Sequence, residues 1–432
     1  MTPVKTNYDV IIIGGGASGM MAAISCKRHH PELSIAILDR TFALGRKILV
    51  CGAGRCNITN ANLSDKVKTS YYGADYEFVN SIFSQFGYDE IVSFFNDLGA
   101  ELYLEKKNDI GKVFPVTNQA QTVTALLQDE LERYKIDVHL NTECLNVDKN
   151  VDTFSVGAKQ GNPKEGQVRN FAFKSKYLIL SAGGKTYPAL GSSGIGYEIA
   201  KRLGHSIVEP VPSALPVEGK NPLSHELQGL KMDIEATSII DGKEIKSRTD
   251  DVMFTQYGLS GPAILNISRE ISIRFNRDKK DDVFVRLNFI PGKRYDEIYS
   301  IMNDRWTKRP QRTIEKSLYG LLPNKVAVAI LKVANIDKDK KNSDLSKIEK
   351  NKICELLNNY RVKITNTLSW NEAEFTAGGI NSQEIEKGTL MSKKCENFFL
   401  CGEIIDVDGD VGGFNLSWGW ASGFIAGKLG ES

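Results

Sequence analysis

Three segments carry residues whose types and spacing could hold a redox nucleotide. The apolar run Tyr8-Asp9-Val10-Ile11-Ile12-Ile13 ends in Gly14-Gly15-Gly16-Ala17-Ser18-Gly19 and passes into Met20-Met21-Ala22-Ala23-Ile24. Strand, Gly-x-Gly-x-x-Gly and helix in that order make a dinucleotide turn. Gly14 allows the tight bend, Gly16 lets a diphosphate approach the backbone, and Gly19 lets helix and strand close up. The helix start then offers free N–H groups and a positive dipole end to the diphosphate. A second strand, Ser34-Ile35-Ala36-Ile37-Leu38, ends at Asp39, 20 residues past Gly19, where a carboxylate can accept ribose hydroxyls.

The second segment lies near the C-terminus. Phe398-Phe399-Leu400-Cys401 leads to Gly402-Glu403, and Gly412-Gly413 then opens a helix through Trp418, Trp420, Ala421 and Ile425. This is another helix start able to face an anion. Reduced flavin is negative near N1 and O2, so a positive helix end there favours reduction. Glu403 could bond ribityl hydroxyls, or simply cap a glycine turn. The third segment is Leu178-Ile179-Leu180-Ser181-Ala182-Gly183-Gly184, followed by Gly191-Ser192-Ser193-Gly194 and a helix ending at Leu203-Gly204-His205. Its small residues let the chain pass close beneath a diphosphate or flavin. Asp406, Asp408 and Asp410 look like paired carboxylates, but a glycine-rich loop uses such residues for turns and caps. The N-terminal turn alone fits NAD as well as FAD; the second helix start supplies a place for a flavin ring and points to FAD.

The elements that must position these groups follow from pattern. The 432 residues suffice for two or three domains, and a net charge of +2 does not argue for nucleic acid. No apolar run reaches the length of a membrane span, and Met1-Thr2-Pro3-Val4-Lys5-Thr6-Asn7 lacks a signal-peptide core. Seven scattered cysteines suggest reduced thiols and a cytoplasmic location. The five histidines form no spaced Cys/His cluster, so no metal site is expected. Residues 1–205 alternate strand and helix textures, with helical patterns at 77–98 and 119–134 and strands at 136–140, 153–158, 168–173 and 177–181. From 206 the prolines Pro210, Pro212, Pro216 and Pro222 and the alternating runs 232–239, 243–249 and 283–289 suggest an antiparallel sheet or small barrel. Residues 295–360 read as helical, and Asp337-Lys338-Asp339-Lys340-Lys341-Asn342 reads as a solvated loop. The organisation expected is an α/β, Rossmann-like FAD-binding domain (1–205 and 361–432) interrupted by an inserted β-barrel (206–294) and a helical subdomain (295–360).

These motifs resemble the FAD-binding half of the fumarate reductase and succinate dehydrogenase flavoproteins. More narrowly, the chain resembles the YhiN-like (BaiN-like) bacterial FAD-dependent oxidoreductases. The marks are Gly45-Arg46-Lys47 leading to Gly54-Arg55-Cys56-Asn57-Ile58-Thr59-Asn60, Gly258-Leu259-Ser260-Gly261-Pro262, Thr376-Ala377-Gly378-Gly379 and Gly402-Glu403 through Asn415. The resemblance implies a non-covalent FAD at the domain junction. It puts Gly14, Gly16, Ala17, Ser18 and Gly19 at the diphosphate, and Asp39, Arg40 and Cys144 beside the adenosine. Arg46, Lys47, Gly54, Arg55 and Asn57 fall along the cofactor towards the flavin, and Ala182 and Gly183 on the adenosine side. Gly402, Glu403, Gly412, Gly413, Phe414 and Asn415 close over the ribityl chain and pyrimidine edge. The family commonly has Thr-His before its Gly-Leu-Ser-Gly-Pro, whereas Thr255-Gln256-Tyr257 stands here; an amide cannot replace a titrating histidine.

The function expected is hydride transfer between flavin N5 and a small organic substrate, with NADH or NADPH a possible reductant. The relatives imply two themes, oxidation of amino ketones and reduction of a double bond conjugated to a ketone. Tyr187, Gln256, Tyr257 and Ser260 have suitable chemistry, but no catalytic acid or base stands out. Two rival readings use other residues. Cys51 and Cys56 have the Cys-x4-Cys spacing of a flavin-coupled dithiol, yet no second Gly-x-Gly-x-x-Gly follows a central strand. Arg294, Tyr295, Tyr299, Arg305, Trp306, Lys308 and Arg309 could mark a flavin-carrying RNA-binding protein, but their spacing suits an amphipathic helix.

Overall fold

Val10–Ile13, Ile35–Leu38, Tyr177–Leu180 and Phe398–Leu400 are runs of apolar residues without alternation, as strands covered on both faces must be. In a computed structural model, which describes residues 4–105, 111–161 and 168–431, these runs form one parallel sheet with Asp137–His139. Labelled β1 (Val10–Ile13), β2 (Ile35–Leu38), β3 (Asp137–His139), β4 (Tyr177–Leu180) and β5 (Phe398–Leu400), they stand in the order β5-β4-β1-β2-β3. The chain therefore leaves β1 towards β2 and β3 on one side and returns to β4 and β5 on the other. The carboxyl end of β1 is the switch point at which open α/β sheets bind ligands.

Helix α1 (Ala17–His29) follows β1 at once and is buried through Cys26. The C-terminal helix α2 (Phe414–Gly427) lies directly on it. A Cβ on Gly423 would come within 2.4 Å of the Ser18 carbonyl oxygen, and one on Gly427 within 2.4 Å of that of Ala22. Ser25 Oγ donates to the Phe424 carbonyl at 2.6 Å across the same contact. Two helix starts separated by most of the sequence are thus brought to one edge of the sheet.

The chain divides into two compact units, Met1–Pro210 with Phe375–Ser432, and Val211–Glu374. The second crossing falls later than the expected 360/361. Tyr360–Lys363 pairs with Val283–Asn288, and Asn366–Thr367 with Val217–Glu218, which commits both strands to the second unit. That unit has a seven-stranded antiparallel sheet whose edge strands are the two ends of this one segment. The helices Tyr295–Lys308, Asn324–Ala334 and Lys347–Asn358 share its core, Ile298, Met302, Ile330 and Ile353 being buried in one cluster with Val285 and Leu287. Residues 295–360 thus have no core of their own. The helical pattern at 77–98 also resolves differently, into Tyr76–Phe83 and Tyr88–Asp97. Gly87 interrupts it, its N–H donating to Glu90 Oε2 at 2.8 Å as the second helix starts.

Ser346 caps the helix Lys347–Asn358, and Glu349 receives Lys340 Nζ at 2.7 and 2.9 Å and the Ser346 N–H at 2.8 Å. The Lys340 bonds, then the backbone bond, hold the Glu349 carboxyl down to about 2. A folded-state value below the unfolded one stabilises above the unfolded value and is lost as pH falls through the folded one. Glu349→Gln is expected to lower stability by about 1 kcal/mol at neutral pH. Urea midpoints of the two proteins should converge between about pH 4.5 and 2; a constant gap would show that the carboxylate charge contributes nothing.

Candidate cofactor and active site

A cleft opens at the carboxyl end of β1 and is lined entirely from the first unit. At one end stand Asp39, Arg40, Thr41 and Cys144, in the middle Gly14 to Ser18 with Ala182 and Gly183, and at the other end Arg46, Lys47, Gly402, Glu403 and Asn415. Gly14 sits at φ +102°, and a Cβ there would lie 2.5 Å from the Ser181 carbonyl oxygen. The turn is pinned by Ser181 Oγ, which donates to the carbonyls of Ile13 and Gly14 at 3.0 and 2.8 Å. At Gly16 an added Cβ would meet nothing within 4 Å. That backbone face is open, α1 has no side-chain cap, and no acid stands in its first turn.

Asp39 is more constrained than a free ribose acceptor. Its Oδ2 accepts the Gly15 N–H at 2.7 Å, and its Oδ1 accepts the N–H and Oγ1 of Thr41, each at 2.7 Å. The carboxylate first of all braces the glycine turn against the end of β2. Burial pushes the Cys144 thiol up to about 12, which leaves it a neutral wall group.

The far end is organised around Glu403. Its Oε2 accepts Lys47 Nζ at 2.6 Å, and its Oε1 accepts the Thr376 N–H at 2.8 Å and Thr186 Oγ1 at 3.1 Å. Lys47 Nζ also donates to Thr186 Oγ1. From behind, α2 fixes the turn: Trp418 Nε1 donates to the Gly402 carbonyl at 3.1 Å, and the Gly402 N–H donates to Ser422 Oγ at 2.9 Å. Thr186 and Thr376 are not among the expected site residues, although Thr376 opens the Thr376-Ala377-Gly378-Gly379 mark. Thr186 lies past the end of β4 and Thr376 inside the strand Phe375–Ile380, and neither shows its role until the fold brings it to Glu403. Tyr187, beside Thr186, is held at φ +52°, a conformation uncommon for a tyrosine.

Seven residues expected at the cofactor do not line the cleft. Gly19 is consumed by packing, since a Cβ there would lie 1.9 Å from the Gly14 carbonyl oxygen. Arg55 stacks over Phe114 and pairs with Glu105 at 2.9 Å, and the Asn57 side chain accepts the Val113 N–H. Gly54 belongs to the same turn. Gly412 and Gly413 abut Asn60 and Thr59, and Phe414 is buried edge-on against Tyr71. These groups shape the wall from behind.

Cys51 lines the cleft, but Cys56 is buried and its thiol is pushed well up by desolvation. A dithiol working on a flavin needs a ready thiolate, which this burial opposes. Gln256 and Tyr257 form the tip of a hairpin in the second unit, Thr255 and Gly258 exchanging backbone bonds around them. In the first unit Ser392, His205 and Glu384 line up as a hydrolytic triad would, with His205 Nε2 2.7 Å from Ser392 Oγ. Ser392 Oγ is buried and also accepts two backbone N–H groups, so it closes a turn.

The doubly-wound sheet and the cleft at its switch point define a Rossmann-type nucleotide-binding oxidoreductase. The chain belongs to the family described as HI0933-like protein Rossmann domain, whose model matches residues 8–429. It is 31% identical over 417 residues to the 3-dehydro-bile acid delta(4,6)-reductase of Clostridium scindens, covering 96% of this chain and 97% of the relative. It is 26% identical to the ribosomal RNA dihydrouridine synthase of Escherichia coli, covering 96% of each. Among solved structures, 3-ketosteroid-delta4-(5alpha)-dehydrogenase from Rhodococcus jostii matches with TM-score 0.52 and 14% identity, over 100% of this chain and 98% of that one. The Escherichia coli quinol fumarate reductase FrdA matches at TM-score 0.50 and 12% identity, over 98% and 69%. The protein is an FAD-dependent oxidoreductase of this family, and its likeness to the two solved structures is one of fold.

The residues present fit FAD. The open face at Gly16 and the uncapped start of α1 suit a diphosphate. Arg46 lies on the cleft stacked on the exposed Phe42 ring, with no ion-pair partner among the described residues. When bound, FAD supplies hydride chemistry; the protein supplies orientation, electrostatics and exclusion of water.

Proposed function

We propose that this enzyme reduces a carbon–carbon double bond conjugated to a carbonyl in a small organic substrate, with non-covalent FAD along the cleft and NADH or NADPH as the source of electrons. One observation carries this reading. The two kinds of relative, at 31% and 26% identity over nearly the whole chain, are named for reactions that share one bond change. A 3-oxo-4,6-diene and a uracil ring both have a C=C in conjugation with C=O. In each, saturation adds a hydride at the carbon far from the carbonyl and a proton nearer to it. The sequence-derived diphosphate residues Gly14, Gly16, Ala17 and Ser18 are proposed to hold the cofactor's centre. Asp39, Arg40, Ala182 and Gly183 would serve its adenosine side, and Arg46, Lys47, Glu403 and Asn415 its flavin side. Within this frame Lys47 neutralises Glu403, and the backbone around Gly16 receives negative charge.

A second substrate reading, uridine within ribosomal RNA, is favoured by the two relatives of that name, at 26% identity each. Oxidation of amino ketones is the alternative direction. The deciding test reduces the FAD-loaded protein anaerobically and mixes it in a stopped-flow cell with a steroid 4,6-dien-3-one, a simple cyclic enone, or uridine-containing RNA. Rapid reoxidation of the flavin by one of them is expected. Flavin reoxidised only by oxygen, and reduced only by amines, would overturn the proposal.

A further inference from the structure

The charge of this chain is unevenly placed. Residues 305–352 hold 13 Lys and Arg against five Asp and Glu, a net +8, so the rest of a chain of net +2 carries −6. In the helix Tyr295–Lys308 the fold uses up the groups that resemble a nucleic-acid patch. Trp306 is buried, and Tyr295 and Tyr299 stack half-buried on each other. Lys308 pairs with Asp304, and Arg305 donates to the carbonyls of Ser317 and Tyr319.

Beside it the situation is reversed. The Asn342 N–H donates to the Arg312 carbonyl at 3.0 Å, Ser343 to Pro310 at 3.0 Å, Ile314 to Lys340 at 2.8 Å and Glu315 to Lys338 at 3.2 Å. This ladder sets Arg309, Arg312, Lys338 and Lys341 on one rim, with Lys316 and Lys347 at its ends. All six side chains are exposed and have no ion pair among the described residues. Lys340, the one cation of the ladder with a partner, is held by Glu349. The acids on the rim are Asp337, Asp339, Asp344 and Glu315, four against those six cations; Asp337 accepts the Asp339 N–H and Glu315 the Tyr319 hydroxyl.

We infer that this rim is a docking surface for the phosphate backbone of RNA. The inference rests on the uridine reading of the reaction. Exposed cations without ion pairs, gathered on one backbone ladder, release counterions when they meet a polyphosphate. A lipid surface would ask for a run of apolar side chains among the cations, whereas Ile348 beside Lys347 stands as a single strongly exposed one.

The test titrates the FAD-loaded protein against a fluorescein-labelled RNA hairpin of about 30 nucleotides in KCl from about 50 to 300 mM. Binding that weakens steeply with salt is expected. Arg309→Glu/Arg312→Glu/Lys341→Glu should weaken it by more than about 10-fold and reduce the log–log salt slope by about 3. A charge-matched control, Lys68→Glu/Lys174→Glu/Arg202→Glu, should stay within about 2-fold. Far-UV circular dichroism and urea unfolding matching the wild type show that each triple variant is folded in both units. No binding at the lowest salt, equal losses in both triples, or binding to phosphatidylglycerol vesicles but not to RNA would overturn the surface. Dihydrouridine formation is read separately on the same RNA, so turnover can fail while binding stands, and the two ideas fail independently.

Discussion

Gly19→Ala is expected to empty the protein of FAD and to destabilise the apoprotein by about 3 kcal/mol, whereas Gly16→Ala three residues earlier should do only the first. The added methyl at Gly19 would sit 1.9 Å from the Gly14 carbonyl oxygen and 2.7 Å from Ser181 Oγ. Neither can yield: one is backbone at the bend, and the other is bonded to two carbonyls of the same turn. Helix α1 must therefore move away from β1, which misdirects its first N–H groups and disturbs the contact with α2. At Gly16 the same methyl meets no protein atom within 4 Å, and the backbone at φ −79° suits alanine. Its cost falls on whatever occupies the open face. Urea unfolding of both apoproteins, with FAD affinity from flavin fluorescence, separates the two. If Gly16→Ala binds FAD as the wild type does, the diphosphate does not lie over Gly16.

The contrast shows why some of this molecule was legible in its sequence. Gly14, Gly16 and Gly19 act within one turn, and local spacing fixes what each must do. Glu403 was recognisable because it follows an apolar strand and precedes a glycine-opened helix. Its pairing with Thr186 and with Thr376 was not, even though Thr376 stands in one of the family's marks, because they meet it only through the fold. The same limit explains why some expected residues do not line the cleft. Arg55 and Asn57 stand in a motif of the right composition, but their side chains face Glu105 and Val113 behind the cleft wall. The strand Tyr360–Lys363 was assigned to the wrong unit because its apolar alternation says that it pairs, and not with what.

The second large effect follows from that network. Glu403→Ala would leave the buried Thr376 N–H without its acceptor and Lys47 without its counter-charge. An unpaired buried donor costs about 1–3 kcal/mol. With side chains 26% and 21% exposed, the Lys47–Glu403 pair is partly screened, so the total loss in the apoprotein should be about 3 kcal/mol. Glu403→Gln is the sharper probe. Its amide oxygen can still accept from Thr376 and Thr186, which keeps the three segments together, while its NH2 faces the Lys47 ammonium. It should fold with a loss of about 1 kcal/mol and bind FAD more weakly than the wild type. Lys47→Met removes the cation instead, and in the double variant the donor–donor clash is gone. A double-mutant cycle in apoprotein stability should therefore give a coupling of about 1–2 kcal/mol. Additivity within about 0.3 kcal/mol would mean that Lys47 and Glu403 do not sense each other in solution. The cleft would then be held at this end by the Thr376 and Thr186 bonds to Glu403 and the Trp418 and Ser422 bonds to Gly402, without the cation.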